Sequence, residues 1–346
     1  MDRRIGVQVT GVGAEIPPHV VTTAEVEERA GIGRFGFAPG WLERVTGVRE
    51  RRYAEPSVRP SDLAIAAGLR ALADRGLDAS EVDTVLFTGI TRDFIEPATA
   101  NRVADGIGAF HARVFDLTNA CNGLIDGLDV ADSLIRTGKG RHVLVTTGER
   151  ASISVHWHAR TVEELMRTVA GLMVGDGGGA LVVEASEDPA RGIREREYRS
   201  DPRHWRLAIG GLFRPTTQAC EVCGSVVDLR FLCDGRELFQ VGLEMMPPTM
   251  LAAMQRSGWT YDQLDLVFCH EASRRFVEAG MADLGEGNHP GPKIWSTVER
   301  YGNTSTVSLP VQMAEAKAAG ALVPGAKVLL LGGSSGVSMA AVTLSW

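Results

Sequence analysis

The sequence predicts an α/β fold built from two duplicated halves, because two separate stretches recur in the same order. Residues 76–92 (GLDASEVDTVLFTGITR) align without gaps with residues 258–274 (GWTYDQLDLVFCHEASR), at an offset of 182 residues. In a second pair, residues 140–148 (GRHVLVTTG) resemble residues 325–333 (GAKVLLLGG), at an offset of 185 residues. Two matches at nearly the same offset indicate internal duplication.

Strands alternate with helical patterns in each half. Short apolar strands are predicted at residues 85–87, 267–269 and 294–298, and helices at residues 124–136 and 311–319. This alternation is typical of crossover connections and of buried, largely parallel sheets. The charged stretch 187–201 is predicted to separate an N-terminal half (residues 1–186) from a C-terminal half (residues 187–346).

The composition limits the class of protein. The chain has 346 residues, 44% of them hydrophobic, and a formal net charge of −7. An acidic chain with scattered basic residues is a poor candidate for nucleic-acid binding. No run of about eighteen apolar residues is present, so we expect no membrane insertion. Five cysteines without a secretory signal lead us to expect reduced thiols and a cytoplasmic location.

Cys121 is the first candidate catalytic residue. It follows the apolar strand around Phe115 and precedes the amphipathic helix at residues 124–136. A cysteine at a helix N-terminus lies near the positive end of the backbone dipole, which favours the nucleophilic thiolate. The alternative is a buried structural thiol, as most lone cysteines are.

The repeat brings two further polar residues to the same place. His270 follows the strand at residues 266–269 at the position equivalent to Thr88, and Asn303 maps onto Cys121 at the offset of 182. In a pseudo-twofold arrangement the ends of these strands meet at one cleft. We therefore expect Cys121, His270 and Asn303 to converge.

Residues 332–336 (GGSSG) match the nucleophile elbow of serine hydrolases. No Asp, Glu or His follows them, so a serine-hydrolase triad cannot form in the usual order. We instead predict a glycine-rich turn whose backbone amides act as oxyanion donors. The glycines at 175–179 precede a strand rather than a helix, and we predict a turn there instead of a dinucleotide loop.

Three cysteines resemble part of a zinc ligand set: Cys220, Cys223 and Cys233. A structural zinc site needs four ligands, and a fourth is not evident. We predict no metal, and we interpret these residues as a thiol-containing loop near the pocket.

The chain resembles the ketoacyl synthase III family of thiolase-fold condensing enzymes over nearly its whole length. The matching features are Trp41 with residues 47–51 (GVRER), residues 119–121 (NAC), residues 174–177 (VGDG), His270, and residues 302–305 (GNTS) followed by Pro310. The resemblance implies a five-layered αβαβα fold and a homodimer. It implies that Cys121 accepts the acyl group and that His270 and Asn303 complete a triad. Its substrates would be acyl thioesters on acyl carrier protein or coenzyme A, with no other cofactor.

Residues 91–100 (TRDFIEPATA) look similar to OleA-like enzymes, which join two fatty acyl thioesters, and to ketosynthases that link two polyketide chains. In OleA-like enzymes the glutamate that matches Glu96 reaches into the partner subunit's pocket and acts as a base on the second acyl chain. The alternative is that Glu96 forms a surface or interface ion pair, for example with Arg92.

The residues that bind the carrier match only in part. Trp41 matches the tryptophan that stacks on adenine in family members that use coenzyme A, but Val45 stands where those members have an arginine, and Arg44 lies one place away. Arg275 matches a basic residue that contacts the phosphopantetheine carrier.

The sequence thus predicts a Claisen condensation through acyl-Cys121, without decarboxylation, in lipid or polyketide antibiotic biosynthesis. The amides of Cys121 and Ser334 would hold the oxyanion, and His270 would be a neutral Nε2 donor during condensation. Two alternatives remain open: a decarboxylative, malonyl-dependent synthase, and an acyltransferase with another acceptor. The intact Cys, His and Asn set argues against a non-catalytic subunit.

Overall fold

The computed structural model describes residues 5–188, 190–213, 227–282 and 293–346. Its strands are β1 (Gly6–Glu15), β2 (Val20–Thr22), β3 (Glu50–Arg52), β4 (Thr84–Phe87), β5 (Arg113–Asp116), β6 (His142–Glu149), β7 (Gly177–Ser186), β8 (Gly192–Ser200), β9 (Ala208–Ile209), β10 (Leu212–Phe213), β11 (Val227–Asp228), β12 (Leu232–Cys233), β13 (Leu266–Cys269), β14 (Lys293–Ile294), β15 (Lys327–Ser334) and β16 (Ser338–Ser345). Its helices are α1 (Thr23–Ala30), α2 (Trp41–Thr46), α3 (Pro60–Arg75), α4 (Thr99–Ile107), α5 (Gly123–Arg136), α6 (Val162–Thr168), α7 (Gly235–Ser257), α8 (Arg274–Ala282), α9 (Val298–Tyr301) and α10 (Ser308–Ala318).

Two five-stranded sheets form the body of the protein. The first has the order β1-β7-β6-β4-β5 and the second the order β14-β13-β15-β16-β8. In the first sheet β4 pairs in parallel with β5 and β6, whereas β7 is antiparallel to β1 and β6. The second sheet repeats this arrangement, so the prediction of largely parallel sheets is wrong. The sheets are mixed because β15 and β16 are joined by a short hairpin, which can only produce an antiparallel pair.

Helices α5 and α10 lie between the two sheets. Leu124, Leu128 and Ile135 of α5 share one buried cluster with Leu309 and Met313 of α10 and with apolar residues of both sheets. On the outer side of the first sheet, α3 and α4 form a second cluster, and α7 covers the second sheet in a third. The predicted five-layered αβαβα fold is confirmed.

The duplication extends to individual hydrogen bonds. The carboxylate of Asp83 accepts from the amides of Arg141 and His142, at the start of β6. The equivalent Asp265 accepts from the amide of Lys327, at the start of β15. In both halves one aspartate, placed just before an inner strand, fixes the start of the neighbouring parallel strand.

Four predicted segments differ from the structure. The strand at 294–298 ends at Ile294, because the Glu271 carboxylate accepts from the amides of Thr297 and Val298 and turns the chain into α9. The stretch 187–201 is not only a boundary, since β8 occupies most of it.

Both predicted glycine-rich turns, at residues 175–179 and 332–336, lie partly within strands. Gly177, Gly178 and Gly179 begin β7. A Cβ at Gly179 would lie 2.2 Å from the ring of Pro310, so this glycine allows α10 to pack on the sheet. Likewise, β15 continues through Ser334, and the turn begins only after it.

Candidate active site

Cys121 lies between β5 and α5, two residues before the helix begins. The preceding residue, Ala120, has a φ of 46°, an uncommon conformation for a residue with a side chain. Gly123 packs so closely that a Cβ would lie 2.4 Å from the carbonyl oxygen of Thr88. The helix therefore starts directly against the end of β4, and Cys121 is held there, partly exposed.

Asn303 occupies the equivalent position in the second half, before α10. Gly302 precedes it with a φ of 68°, and a Cβ there would lie 2.4 Å from the Met173 carbonyl oxygen. The amide of Asn303 donates to that same carbonyl at 2.8 Å. Its side-chain oxygen accepts from the amide of Ser305 at 2.9 Å, which leaves the Asn303 NH₂ group available to another acceptor.

Ser305 connects the three predicted catalytic residues. Its hydroxyl donates to the Cys121 sulfur at 3.5 Å, and its carbonyl accepts from the Ser308 hydroxyl at 2.9 Å. The Ser308 Oγ in turn lies 3.4 Å from Nδ1 of His270. The structure thus brings Cys121, His270 and Asn303 together, and it gives Ser305 a linking position that sequence reasoning did not assign.

The contacts of Ser308 indicate which nitrogen of His270 carries the proton. A hydroxyl has one hydrogen, and Ser308 donates it to the carbonyl of Ser305 over the shorter distance. At Nδ1 of His270 the Ser308 oxygen is then an acceptor, so the proton is on Nδ1 and Nε2 is unprotonated. The expectation of a neutral Nε2 donor concerns the condensation step, for which Nε2 must first gain a proton, and it stays a prediction.

The Cys121 thiol is protonated at neutral pH. Burial raises its pKa to about 11, and the negative charge of Glu149 adds to this effect, against the hydrogen bond from Ser305. The expected thiolate at a helix N-terminus is therefore wrong for this state of the protein. Desolvation outweighs the helix dipole, and a base is needed to activate the sulfur.

His270 can supply that base. It is 9% exposed, and burial lowers its pKa to about 4, against opposing contributions from the Ser305 backbone, Glu271 and Glu149. The ring is therefore neutral at pH 7, with Nε2 free to accept a proton.

Glu96 lies on the loop between β4 and α4 and is exposed. Within the described parts of the chain it forms no hydrogen bond or ion pair, and the alternative of a pair with Arg92 is not formed. Ser334 ends β15 and is 6% exposed, with its hydroxyl bonded to that of Ser338 at 2.7 Å. Its role as an oxyanion donor stays a prediction.

A cavity of about 720 Å³ lies beside the site, and Cys121, His270 and Asn303 are not among its lining residues. Trp41 lines it, with one face stacked on Phe37 at 4.3 Å between ring centroids, and so does Val45. Met173, whose carbonyl accepts from the Asn303 amide, also lines the cavity.

Three arginines that sequence reasoning missed also line this cavity: Arg167, Arg206 and Arg236. They come from separate segments, and no local pattern marks them. Arg275 is exposed and is not among the lining residues. Cys233 lines the cavity, as the interpretation of a thiol near the pocket predicts, whereas Cys220 and Cys223 lie outside the described residues.

Comparisons with known proteins agree with this geometry. The family model for 3-oxoacyl-[acyl-carrier-protein] synthase III matches residues 115–202, and the model for its C-terminal part matches residues 254–346. The β-ketoacyl-[acyl-carrier-protein] synthase III of Roseiflexus castenholzii is 33% identical over 98% of this chain and 97% of its own. That of Bradyrhizobium diazoefficiens is 32% identical over 98% of both chains.

Solved structures give the same result. A structure of Xanthomonas campestris OleA superposes with a TM-score of 0.88 at 27% identity and covers 99% of both chains. The 3-oxoacyl-[acyl-carrier-protein] synthase III of Aquifex aeolicus superposes with a TM-score of 0.84 at 28% identity, covering 99% of this chain and 100% of its own.

The fold and site define a condensing enzyme of the thiolase superfamily. More narrowly, the chain belongs to the ketoacyl synthase III family, and it is a ketosynthase. Among the helices in the described ranges, none is long and apolar enough to cross a membrane.

Proposed function

We propose that this protein joins two acyl thioesters by a Claisen condensation through acyl-Cys121, with Glu96 rather than decarboxylation generating the carbanion. The observation that carries the proposal is Glu96 itself: an exposed carboxylate, without a partner in the described chain, on a loop anchored beside the active site. An unactivated acyl thioester has a weakly acidic α-proton, so its condensation needs a positioned base.

The loop that bears Glu96 is anchored at two points before its tip. Before the tip, the amides of Ile90 and Thr91 donate to the carboxylate of Glu149 at 2.9 and 3.1 Å. Closer to the tip, Asp93 accepts from the amide of Ser61 at 3.0 Å. Ile95 at the tip is 88% exposed. A fixed loop with an exposed apolar tip supports insertion into another protein surface.

We infer that this surface is a second copy of the chain, so that Glu96 completes the partner's site. In the described chain β5 is an outer strand of the first sheet, and its residues are exposed or half-buried. Unpaired strand edges are ready templates for pairing. The loop of Glu96 leads through α4 into this strand, so pairing of two β5 strands would bring both Glu96 loops to the interface.

In the first half-reaction, Nε2 of His270 takes the proton of Cys121 and the sulfur attacks the thioester carbonyl. The resulting oxyanion is held by the Cys121 amide, and by the Ser334 amide as predicted. When the tetrahedral intermediate collapses, the carbon–sulfur bond of the substrate breaks and the leaving thiolate takes the proton from His270. The products are acyl-Cys121 and a free thiol.

In the second half-reaction, the NH₂ group of Asn303 donates to the carbonyl of the second thioester. Glu96 removes the α-proton, and the carbanion attacks the carbonyl carbon of acyl-Cys121. The carbon–sulfur bond to Cys121 breaks as the new carbon–carbon bond forms, which leaves a β-ketoacyl thioester and the Cys121 thiolate. This thiolate takes up, through solvent, the proton that Glu96 removed, and the free thiol is restored. His270 contributes a second hydrogen bond once its Nε2 has taken up a proton from solvent.

Long-chain substrates fit this proposal. One of the solved OleA structures contains lauric acid and lauroyl-CoA. In this chain, Trp41 and Arg167 line the cavity together with Arg206 and Arg236. These arginines provide positive charge for the phosphates of coenzyme A or of a carrier-bound phosphopantetheine, although Val45 stands in place of the family's arginine.

The malonyl-dependent reaction is the second candidate, because the relatives at 32–33% identity are named β-ketoacyl-[acyl-carrier-protein] synthases III. The variant Glu96→Gln separates the two. We expect it to retain acylation of Cys121, measured by intact mass, but to lose condensation of two lauroyl thioesters. Offered malonyl thioester, it should keep most of its activity, because loss of CO₂ replaces proton removal.

Two controls complete the experiment. Glu28→Gln makes the same chemical change at an exposed glutamate on α1 and should leave both reactions unchanged. Mixed dimers of Glu96→Gln and Cys121→Ala protomers should recover part of the activity, since one of the two sites is then complete. Unchanged lauroyl condensation by Glu96→Gln would show that Glu96 is not the base. A wild-type protein that condenses malonyl thioester but not two lauroyl thioesters would favour the malonyl-dependent reaction instead.

A further inference from the structure

Glu149 is a fully buried carboxylate beside the active site to which the mechanism above gives no role. It ends β6 and accepts four hydrogen bonds. Its Oε1 accepts from the amide of Ile90 at 2.9 Å and from the hydroxyl of Thr306 at 2.7 Å. Its Oε2 accepts from the amide and the hydroxyl of Thr91 at 3.1 and 2.9 Å.

All four groups donate to Glu149, which is the pattern of an ionised carboxylate. A protonated carboxyl group would need an acceptor of its own. The nearest hydroxyl, that of Thr306, already donates to Glu149 and also contacts the hydroxyl of Thr147. Burial raises the pKa of Glu149 above its ordinary value, against the hydrogen bonds from the four donors, which favour the charged form. Among the described residues no ion pair includes Glu149.

The four donors come from both catalytic loops. Ile90 and Thr91 begin the loop that leads to Glu96, whereas Thr306 directly follows Ser305 and lies three residues after Asn303. The start of α5 lies between these loops. A Cβ at Gly123 would lie 2.4 Å from the carbonyl oxygen of Thr88 and 3.4 Å from a methyl carbon of Thr306.

We propose that Glu149 is a positioning residue whose carboxylate fastens the loop leading to Glu96 to the loop carrying Asn303, and that it keeps a negative charge beside Cys121 and His270. The first part rests on the proposed function of Glu96. The second part does not, because it concerns only the nucleophile and its base.

The charge of Glu149 acts on both steps of the reaction. It raises the pKa of Cys121, which keeps the free thiol protonated and unreactive toward stray electrophiles. It also raises the pKa of His270, together with Glu271, the other carboxylate that acts on the ring. Once Cys121 is acylated, the first effect ends and the second remains. Glu149 then favours the protonated His270 that can donate to the second thioester.

The test compares alkylation of Cys121 by iodoacetamide with condensation, in wild type and in Glu149→Gln. Removing the charge should lower the pKa of Cys121, so alkylation at pH 8 should become about three- to tenfold faster. Condensation of two lauroyl thioesters should fall about tenfold or more. A purely structural role would slow condensation without accelerating alkylation or shifting its pH profile.

Three further variants separate charge from shape. Glu149→Asp keeps the charge, so its alkylation profile should stay near that of wild type. Thr306→Val removes one link to the Asn303 loop and should slow condensation without faster alkylation. Asp176→Asn is the matched control, because Asp176 is also buried, with three donors from Ala54 and Ser152. It should lower stability without changing the alkylation profile.

Alkylation of Glu149→Gln at the wild-type rate, with an unshifted profile, would overturn the role of the charge. Full condensation activity in Thr306→Val would overturn the positioning role. If wild type itself fails to condense lauroyl thioesters, the proposed function fails, whereas the alkylation comparison still decides the role of the charge. Should Glu149→Gln not fold, condensation by Thr306→Val decides the positioning role, and an alkylation profile of Glu149→Asp that departs from wild type would overturn the role of the charge.

Discussion

In the two halves of the molecule, equivalent strands end with the same backbone hydrogen bond but with different side chains. After β4, the amide of Thr88 donates to the carbonyl of Thr146 at 2.8 Å. After β13, the amide of His270 donates to the carbonyl of Leu331, also at 2.8 Å. The Thr88 hydroxyl donates to the Thr146 carbonyl, whereas the His270 ring points toward Ser308 and the cleft.

The loops that follow show the same relation. Ala120 and Gly302 are equivalent, and both have a positive φ directly before Cys121 and before Asn303. Glu149 and Ser334 end the equivalent strands β6 and β15, but only Glu149 carries a charge. In the proposed mechanism, one duplicated backbone frame therefore supports two different tasks: the first half supplies the nucleophile and the second supplies its base and hydrogen-bond donor.

The largest expected effect tests the assignment of the nucleophile to the first half. Cys121→Ala should abolish acyl-enzyme formation, as measured by intact mass after incubation with acyl coenzyme A. The other described thiols are poor substitutes, because burial raises the pKa of Cys233 to about 12 and that of Cys269 well above its ordinary value. A gain of one acyl group by Cys121→Ala would move the nucleophile elsewhere, first to Cys269.

The second prediction separates the two residues of the other half. Asn303→Ala should still acylate Cys121, but its condensation rate should fall about a hundredfold. In His270→Ala, by contrast, acylation itself should be slow, because the Cys121 thiol, with its pKa of about 11, loses its base.

The pH dependence gives a further check on His270. Without this base, acylation depends on the thiolate fraction, which rises about tenfold for each pH unit below the thiol pKa. Rapid-quench mass spectrometry between pH 7 and 9 should therefore show a steep rise for His270→Ala and a flatter profile for wild type. Equal, pH-independent acylation in both proteins would contradict the role of His270 as base.

Much of the fold could be predicted because the repeat is local and visible. The strand before Thr88 and the strand before His270 were found from matching sequence, and the offset of 182 residues also placed Asn303 opposite Cys121. Convergence of these residues needed no knowledge of the full sheet order, since equivalent strand ends in a duplicated fold lie near the same axis.

Other features depend on contacts between distant segments. Ser305 has a φ of 54° and bonds to Cys121, 184 residues away, which no local pattern indicates. The pKa of Cys121 was expected to be lowered but is raised, because the helix dipole can be inferred from the sequence and desolvation cannot. Glu149 could have been noticed, since the offset of 185 places it at Ser334, but its four donors come from two distant segments of the chain.

The smallest expected effect concerns Thr88, the residue of the first half that is equivalent to His270. Thr88→Val removes one buried hydroxyl, whose hydrogen bond to the Thr146 carbonyl is 3.1 Å long. That carbonyl keeps its bond from the Thr88 amide, so the free energy of unfolding in urea should fall by only about 1 kcal/mol. Thr146→Val, which removes the hydroxyl bonded to the Leu86 carbonyl at 2.7 Å, is a matched control with a similar loss. Both variants should acylate Cys121 at the wild-type rate. Slower acylation in Thr88→Val alone would mean that the Thr88 hydroxyl takes part in the reaction, and the division of tasks between the halves would then have to be revised.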